Sequence, residues 1–151
     1  FRIEPIDLCG IVTEVSDEFE VAARKENMRI INNIPERMMM NGNRSLMYAV
    51  IRNLVENSVK YAGKGTTISI GAVRHVSHLE LTYSDNGVGV SESQLGRIFE
   101  RFYSIPGKPG GTEGSGLGLS IVRNAVAFHK GTISASLPKD GGLRFDMEFR
   151  S

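Results

Sequence analysis

The order of apolar, β-rich and turn residues predicts an α+β fold. The expected form is a two-layer α/β sandwich, a mixed, mostly antiparallel sheet covered on one face by helices. Three observations carry this expectation. Stretches with helical spacing mix with short β-rich runs, without the regular strand–helix–strand rhythm of a parallel sheet. Two β-rich runs lie close enough to form a hairpin. The chain of 151 residues is long enough for one core, so residues 1–151 read as a single domain.

Asp7 suits the N-cap of a helix through Leu8, Ile11, Val12, Val15 and Phe19. A short strand from Met28 to Ile34 follows, and Pro35 ends it. Asn43 caps a second helix, from about Ser45 to Ala62, which stops at Gly63-Lys64-Gly65. Thr66 to Val73 and Leu79 to Ser84 read as the hairpin, joined through residues 74–78. A loop from Asp85 to Val90 leads to a helix from about Ser91 to Phe102. Residues 105–114 are rich in glycine and proline and read as a long loop, of the kind that is either a functional lid or disordered. A helix from about Leu117 to Phe128 closes with His129, Lys130 and Gly131, a cationic last turn and a C-cap glycine. Two strands, Thr132 to Leu137 and Leu143 to Phe149, finish the chain around the turn at residues 139–142.

The apolar share of 40% and charged share of 23% are ordinary for a globular protein. A net charge of +1 lacks the basic excess of phosphate-backbone binders, so no nucleic-acid partner is expected. The single cysteine, Cys9, excludes an internal disulfide and a four-cysteine zinc site. It reads as a small buried apolar side chain, and a lone thiol fits a reducing cytoplasm. No apolar run approaches the roughly 20 residues that span a bilayer. The chain opens on Phe1-Arg2-Ile3-Glu4 and is expected to be a piece of a longer protein.

Three segments carry chemistry. In the second helix Asn53, Asn57 and Lys60 fall within roughly 60° of arc, with Glu56 at its edge. A solvated face explains the Lys and Glu, but two asparagines in a helix interior are poor helix formers. An amide pair one turn apart suits a ligand or metal that takes neutral oxygens. The loop Asp85-Asn86-Gly87-Val88-Gly89-Val90 is either a plain turn or a strand end that lets backbone approach a ligand, with one carboxylate pointing in. An ionised carboxylate only accepts hydrogen bonds. Asp85 could therefore receive the exocyclic amine of adenine but not the carbonyl of guanine. The third segment, Gly114-Ser115-Gly116-Leu117-Gly118-Leu119-Ser120, runs into a helix whose first N–H groups could meet an anion. It is neither a P-loop nor a Rossmann fingerprint.

Together these segments resemble the ATP-binding domain of sensor histidine kinases, within the wider gyrase, chaperone and kinase ATPase superfamily. Residues 53–61, N-L-V-E-N-S-V-K-Y, resemble that family's N box, and D-N-G-V-G-V its first glycine box. Ile98 to Tyr103 resembles its phenylalanine box, and G-S-G-L-G-L-S-I-V its second glycine box. Phe1 to Leu8 and Gly141 to Phe149 match its opening and closing strands.

The resemblance implies a Bergerat-type fold with a mobile glycine-rich ATP lid, and ATP and Mg²⁺ as cofactors. It implies that Asn57 binds Mg²⁺, that Asn53 and Lys60 act beside the phosphates, and that Tyr61 lies beside the adenine. Asp85 would take the adenine amine, and Gly87 and Gly89 would let the base in. Gly114, Ser115, Gly116, Leu117, Gly118 and Leu119 would form the phosphate side of the lid. Phe99 and Phe102 would anchor that lid by packing. One departure is Ser104, where many relatives carry a basic residue; Arg101 or Lys108 could substitute.

The implied reaction passes the terminal phosphate to a histidine on a dimerisation domain of the parent protein, a homodimer, with a response regulator downstream. The domain would be cytoplasmic, and a parent anchored in the inner membrane is compatible with it. No histidine here fits the acceptor. His75 and His78 have metal-like spacing but sit in a turn with no third ligand nearby in sequence, and read as surface residues; His129 reads as a helix-end residue. Three alternatives stay open: a hydrolase of the same superfamily, with Glu56 the acid to test, a serine kinase, and a nucleotide-binding module without transfer.

Overall fold

A computed structural model describes residues 1–101, 103 and 118–150. The elements are β1 (Glu4–Asp7), α1 (Leu8–Glu18), α2 (Glu20–Lys25), β2 (Arg29–Asn32), β3 (Met39–Gly42), α3 (Arg44–Tyr61), β4 (Thr67–Arg74), β5 (His78–Asp85), α4 (Glu92–Leu95), α5 (Leu119–Phe128), β6 (Thr132–Ser136) and β7 (Leu143–Arg150). Five strands form one sheet in the order β2-β4-β5-β7-β6. The β2–β4 pair is parallel and the other pairs are antiparallel. This is the expected mixed, mostly antiparallel sheet.

The layers follow from strand periodicity. Leu79, Leu81, Tyr83 and Asp85 of β5 point to one face and are buried, as are Ile68, Ile70 and Ala72 of β4 and Phe145, Met147 and Phe149 of β7. Helix α3 presents Met47, Val50, Ile51, Leu54, Val55 and Ser58, a helical-period stripe in which one residue is polar. Leu8, Ile11, Val12 and Val15 of α1 and Leu119, Val122, Ala125 and Val126 of α5 complete the helical layer.

The caps fall where the sequence placed them. Asp7 accepts from the Gly10 N–H at 3.1 Å, and Asn43 accepts from the Leu46 N–H at 3.0 Å. The expected opening strand is present as β1; it pairs antiparallel with β3 in a separate two-stranded sheet, and β3 itself carried no sequence signal. Three expectations are corrected. The first helix breaks at Phe19 and resumes as α2. The helix expected to reach Phe102 ends at Leu95, because Gly96 caps it after a single turn. At the end of α5 the left-handed residue is Lys130, with φ of 56°, and not Gly131. His129 is the C-cap residue of α5, as its place at a helix end led one to expect. The Asn43 N–H donates to its Nε2 at 2.9 Å, while Nδ1 lies 2.7 Å from the Ala125 carbonyl. That imidazole ties the start of α3 to the end of α5.

Candidate functional site

Between α3 and the C-terminal end of β5 lies a largely apolar cavity with a few polar side chains, Asn57, Ser58, Tyr61 and Asp85. Leu54, Asn57, Ser58, Tyr61 and Ala62 of the helix side face Asp85, Gly89 and Val90 of the strand end and loop. Ile98, Leu119, Leu143 and Phe145 close it. Its volume is about 30 Å³. Ile98 and Leu119, each 1% exposed, are the walls adjoining the glycine-rich segment in sequence.

Asp85 is 8% exposed and held from both sides. Ser58 Oγ–H donates to its Oδ2 at 2.8 Å, and the Gly87 N–H donates to its Oδ1 at 3.0 Å. Behind Ser58, at 2.7 Å, lies the hydroxyl of Tyr83, which also reaches the Leu54 carbonyl at 2.9 Å. Two hydroxyl protons serve three contacts once Ser58 gives its own to the carboxylate. The Tyr83 proton is therefore shared between Ser58 and Leu54. Burial, with the Asp85 charge adding to it, pushes the Tyr83 phenol well above its ordinary range, so it stays protonated. Neither Ser58 nor Tyr83 was singled out in the sequence. The signal available was a serine on the apolar stripe of α3 and a tyrosine two positions before Asp85, on its face of the strand.

The asparagine arc of α3 divides. Asn57 lines the cavity, and its Nδ2 is buried without a hydrogen-bond partner among the described residues. Asn53 donates Nδ2–H to the Ala49 carbonyl at 2.7 Å and turns Oδ1 toward Gly118. A Cβ on Gly118 would stand 2.4 Å from that oxygen, and Gly118 has φ of 72°. Both facts require glycine there. Glu56 and Lys60 leave the cavity: Glu56 lies 3.4 Å from Arg52 and 3.8 Å from Lys60, along the outer face of α3. The structure thus does not bring Lys60 to the other candidates.

Tyr61 lines the cavity, and its phenol is pushed up by burial first and by the Glu56 charge second. Gly89 is a lining residue, but Gly87 is not. A Cβ on Gly87 would stand 2.2 Å from the Ala62 carbonyl, so this glycine lets the loop close on the end of α3. The Val88 N–H then donates to that carbonyl at 2.9 Å. Phe99 meets Phe145 of β7 edge to face at 6.0 Å. Phe102, Ser104, Lys108, Gly114, Ser115, Gly116 and Leu117 lie outside the described residues.

This geometry joins an apolar wall, a buried carboxylate at a strand end and an amide on the facing helix. The family model described as "Histidine kinase-, DNA gyrase B-, and HSP90-like ATPase" matches residues 42–151, and the chain belongs to that family of ATP-binding domains. Its relatives within the family are sensor histidine kinases. It is 32% identical over 132 residues to the sensor-like histidine kinase SenX3 of Mycolicibacterium smegmatis, covering 87% of this chain and 34% of that protein. It is also 32% identical over 149 residues to the histidine-protein kinase BaeS of Escherichia coli, covering 98% of this chain and 32% of that one. The chain therefore spans about a third of the length of the curated relatives it matches. Among solved structures, the catalytic domain of histidine kinase ThkA superposes with a TM-score of 0.86 at 25% identity, over 99% of this chain and 98% of that one. ThkA in complex with the response regulator protein TrrA gives 0.79 at 22% identity, over 98% and 41%.

Proposed function

We propose that residues 1–151 form the catalytic domain of a longer sensor kinase. It binds Mg-ATP and gives the terminal phosphate to a histidine on a separate dimerisation domain of the parent protein. A response regulator, like the one bound to ThkA, then takes the phosphate. The parent is read as a homodimer whose kinase domain lies in the cytoplasm, compatible with anchoring in the inner membrane. Among the described residues, no helix is long and apolar enough to cross a membrane.

The observation that carries this reading is the pairing of Asp85 and Asn57 in one cavity. Asp85 accepts the exocyclic amine of adenine, with Ser58 and Gly87 fixing its two oxygens. Tyr61, Val90 and Leu119 flank the base. The unmatched amide of Asn57 fits a metal: half a turn about its last bond presents the carbonyl oxygen, the hard donor that Mg²⁺ takes. When bound there, Mg²⁺ would offset charge on the phosphates. Asn53, beside Gly118, stands where the helix N-terminus of α5 would meet them. Lys60 has to swing off Glu56 to contribute charge. The Ser104 side chain supplies no charge, so Arg101 or Lys108 is the cation to test beside the terminal phosphate.

In the transfer, a ring nitrogen of the acceptor histidine attacks the terminal phosphorus as the bond to the bridging oxygen breaks. ADP leaves, and the imidazole loses its proton to solvent. The domain's part is positioning and charge, which is most of what phosphoryl transfer asks of a protein. Hydrolysis would need a base near Asn53. Asn53 is an amide, and Glu56 is occupied by Arg52 and Lys60.

Radiolabelled ATP tests the reading. The chain alone should bind ATP without labelling itself or releasing much phosphate. Adding the parent's histidine-bearing domain should produce an acid-labile, alkali-stable label whose rate rises with the concentration of that domain. Strong phosphate release by the chain alone, abolished by Glu56→Ala, would place the protein among the hydrolases instead.

A further inference from the structure

The β4–β5 hairpin turns through Val76 and Ser77, with the His75 N–H donating to the His78 carbonyl at 2.8 Å. His75 and His78 therefore stand opposite each other on adjacent strands, and their side chains share a face. Their rings stack at 4.5 Å. Glu80, two residues along β5, returns to the same face, with its Oε2 3.0 Å from His75 Nε2. On the next strand Glu148 pairs in register with Glu80, and its Oε1 lies 3.9 Å from His78 Nε2. The sequence reading found no third ligand for the two histidines; the pleat supplies Glu80, and the neighbouring strand adds Glu148.

Two features make this more than a polar surface. The ligand atoms of His75, His78 and Glu80 all lie within 4.8 Å of one another. Donors on one tetrahedral ion stand roughly 3.4 Å apart at metal–ligand lengths near 2.1 Å, so small side-chain rotations bring them into range. Second, Glu80 and Glu148 are like charges directly opposed across an antiparallel ladder, an arrangement that destabilises a sheet unless a cation sits between them.

We infer that the hairpin tip is a binding site for a divalent transition-metal ion, held by His75, His78 and Glu80 with Glu148 as the fourth donor. Two imidazoles with carboxylates select ions of the zinc and copper kind; magnesium and calcium take oxygen donors. The site is separate from the nucleotide cavity. Asp85 and His78 are opposite ends of β5, about 23 Å apart at roughly 3.3 Å per residue. The chain's other histidine and its cysteine are elsewhere, His129 between α3 and α5 and Cys9 against Asn32.

The test is calorimetric titration of the tag-free protein with Zn²⁺ in excess Mg²⁺. One saturable equivalent is expected. His75→Ala combined with His78→Ala should weaken it by roughly tenfold or more, and Glu80→Gln should weaken it less. Co²⁺ should give a visible ligand-field band in the wild type that the double variant lacks. Thermal unfolding and Mg-ATP affinity of the variants should match the wild type, since none of the residues is fully buried and all are distant from the cavity. No saturable Zn²⁺ binding, or binding unchanged in both the double variant and Glu80→Gln, would overturn the assignment and leave the cluster as plain histidine–glutamate hydrogen bonds.

Discussion

At the scale of single residues, Ser58 separates nucleotide recognition from simple packing. Ser58→Ala should cost ATP affinity by roughly ten- to 150-fold, because Asp85 loses one of its two fixing donors; a buried hydrogen bond to a charged group is worth about 1.5–3 kcal/mol. Tyr83→Phe leaves the Ser58–Asp85 bond intact, so it should change nucleotide affinity much less. Asp85→Asn should erode the preference for ATP over GTP, since an amide can offer guanine's carbonyl a donor. Competition binding with both nucleotides reads all three variants. Asn57→Ala should lower affinity mainly when Mg²⁺ is present; an equal loss with and without the ion would remove Asn57 as its ligand. The candidates legible in the sequence were those whose residue type is odd for its place, such as amides inside a helix. Ser58 and Tyr83 were not legible, because their roles arise only when β5 is laid against α3, bringing together side chains 25 positions apart.

At the scale of elements, the start of α5 depends on Gly118. Gly118→Ala puts a methyl group against Asn53 and asks an L-residue to hold φ of 72°. The variant should lower melting temperature and weaken Mg-ATP binding together, measurable by thermal unfolding and calorimetry. Gly71→Ala is the control, as a Cβ there meets nothing within 4 Å. Long elements were readable: α3 announced itself through Asn43, its apolar period and the glycines after it. Strand β1 was readable only through the family resemblance and β3 not at all, because four residues leave no room for a period and their pairing joins segments separated by two helices and a strand.

For the molecule as a whole, β5 is the middle strand and carries both core and site. Leu81→Ala, fully buried there, should cost about 2–5 kcal/mol of stability in denaturant unfolding. The buried phenol of Tyr83 sets an alkaline limit. Its proton is held more tightly folded than unfolded, so its contribution is fully present below the unfolded value near about 10 and is lost as pH rises beyond it. Tyr48, raised by its bond to Glu18, and Tyr61, raised by burial, add terms of the same sign. Melting temperature should therefore fall steeply above about pH 10, and Tyr83→Phe should flatten that limb.

The burial of the cavity walls Ile98 and Leu119 has a kinetic meaning. If a purine enters only when Ile98 and Leu119 move apart, ATP meets a protein in which the competent form is a minority. An opening present about one time in ten divides the apparent affinity by ten and slows association by the same factor. Whatever props those walls apart would then act as an accelerator without touching the nucleotide. Leu119→Ala imitates such a prop: in stopped-flow mixing, nucleotide association should quicken more than the equilibrium constant improves, because the shortened side chain also gives up contact with the base.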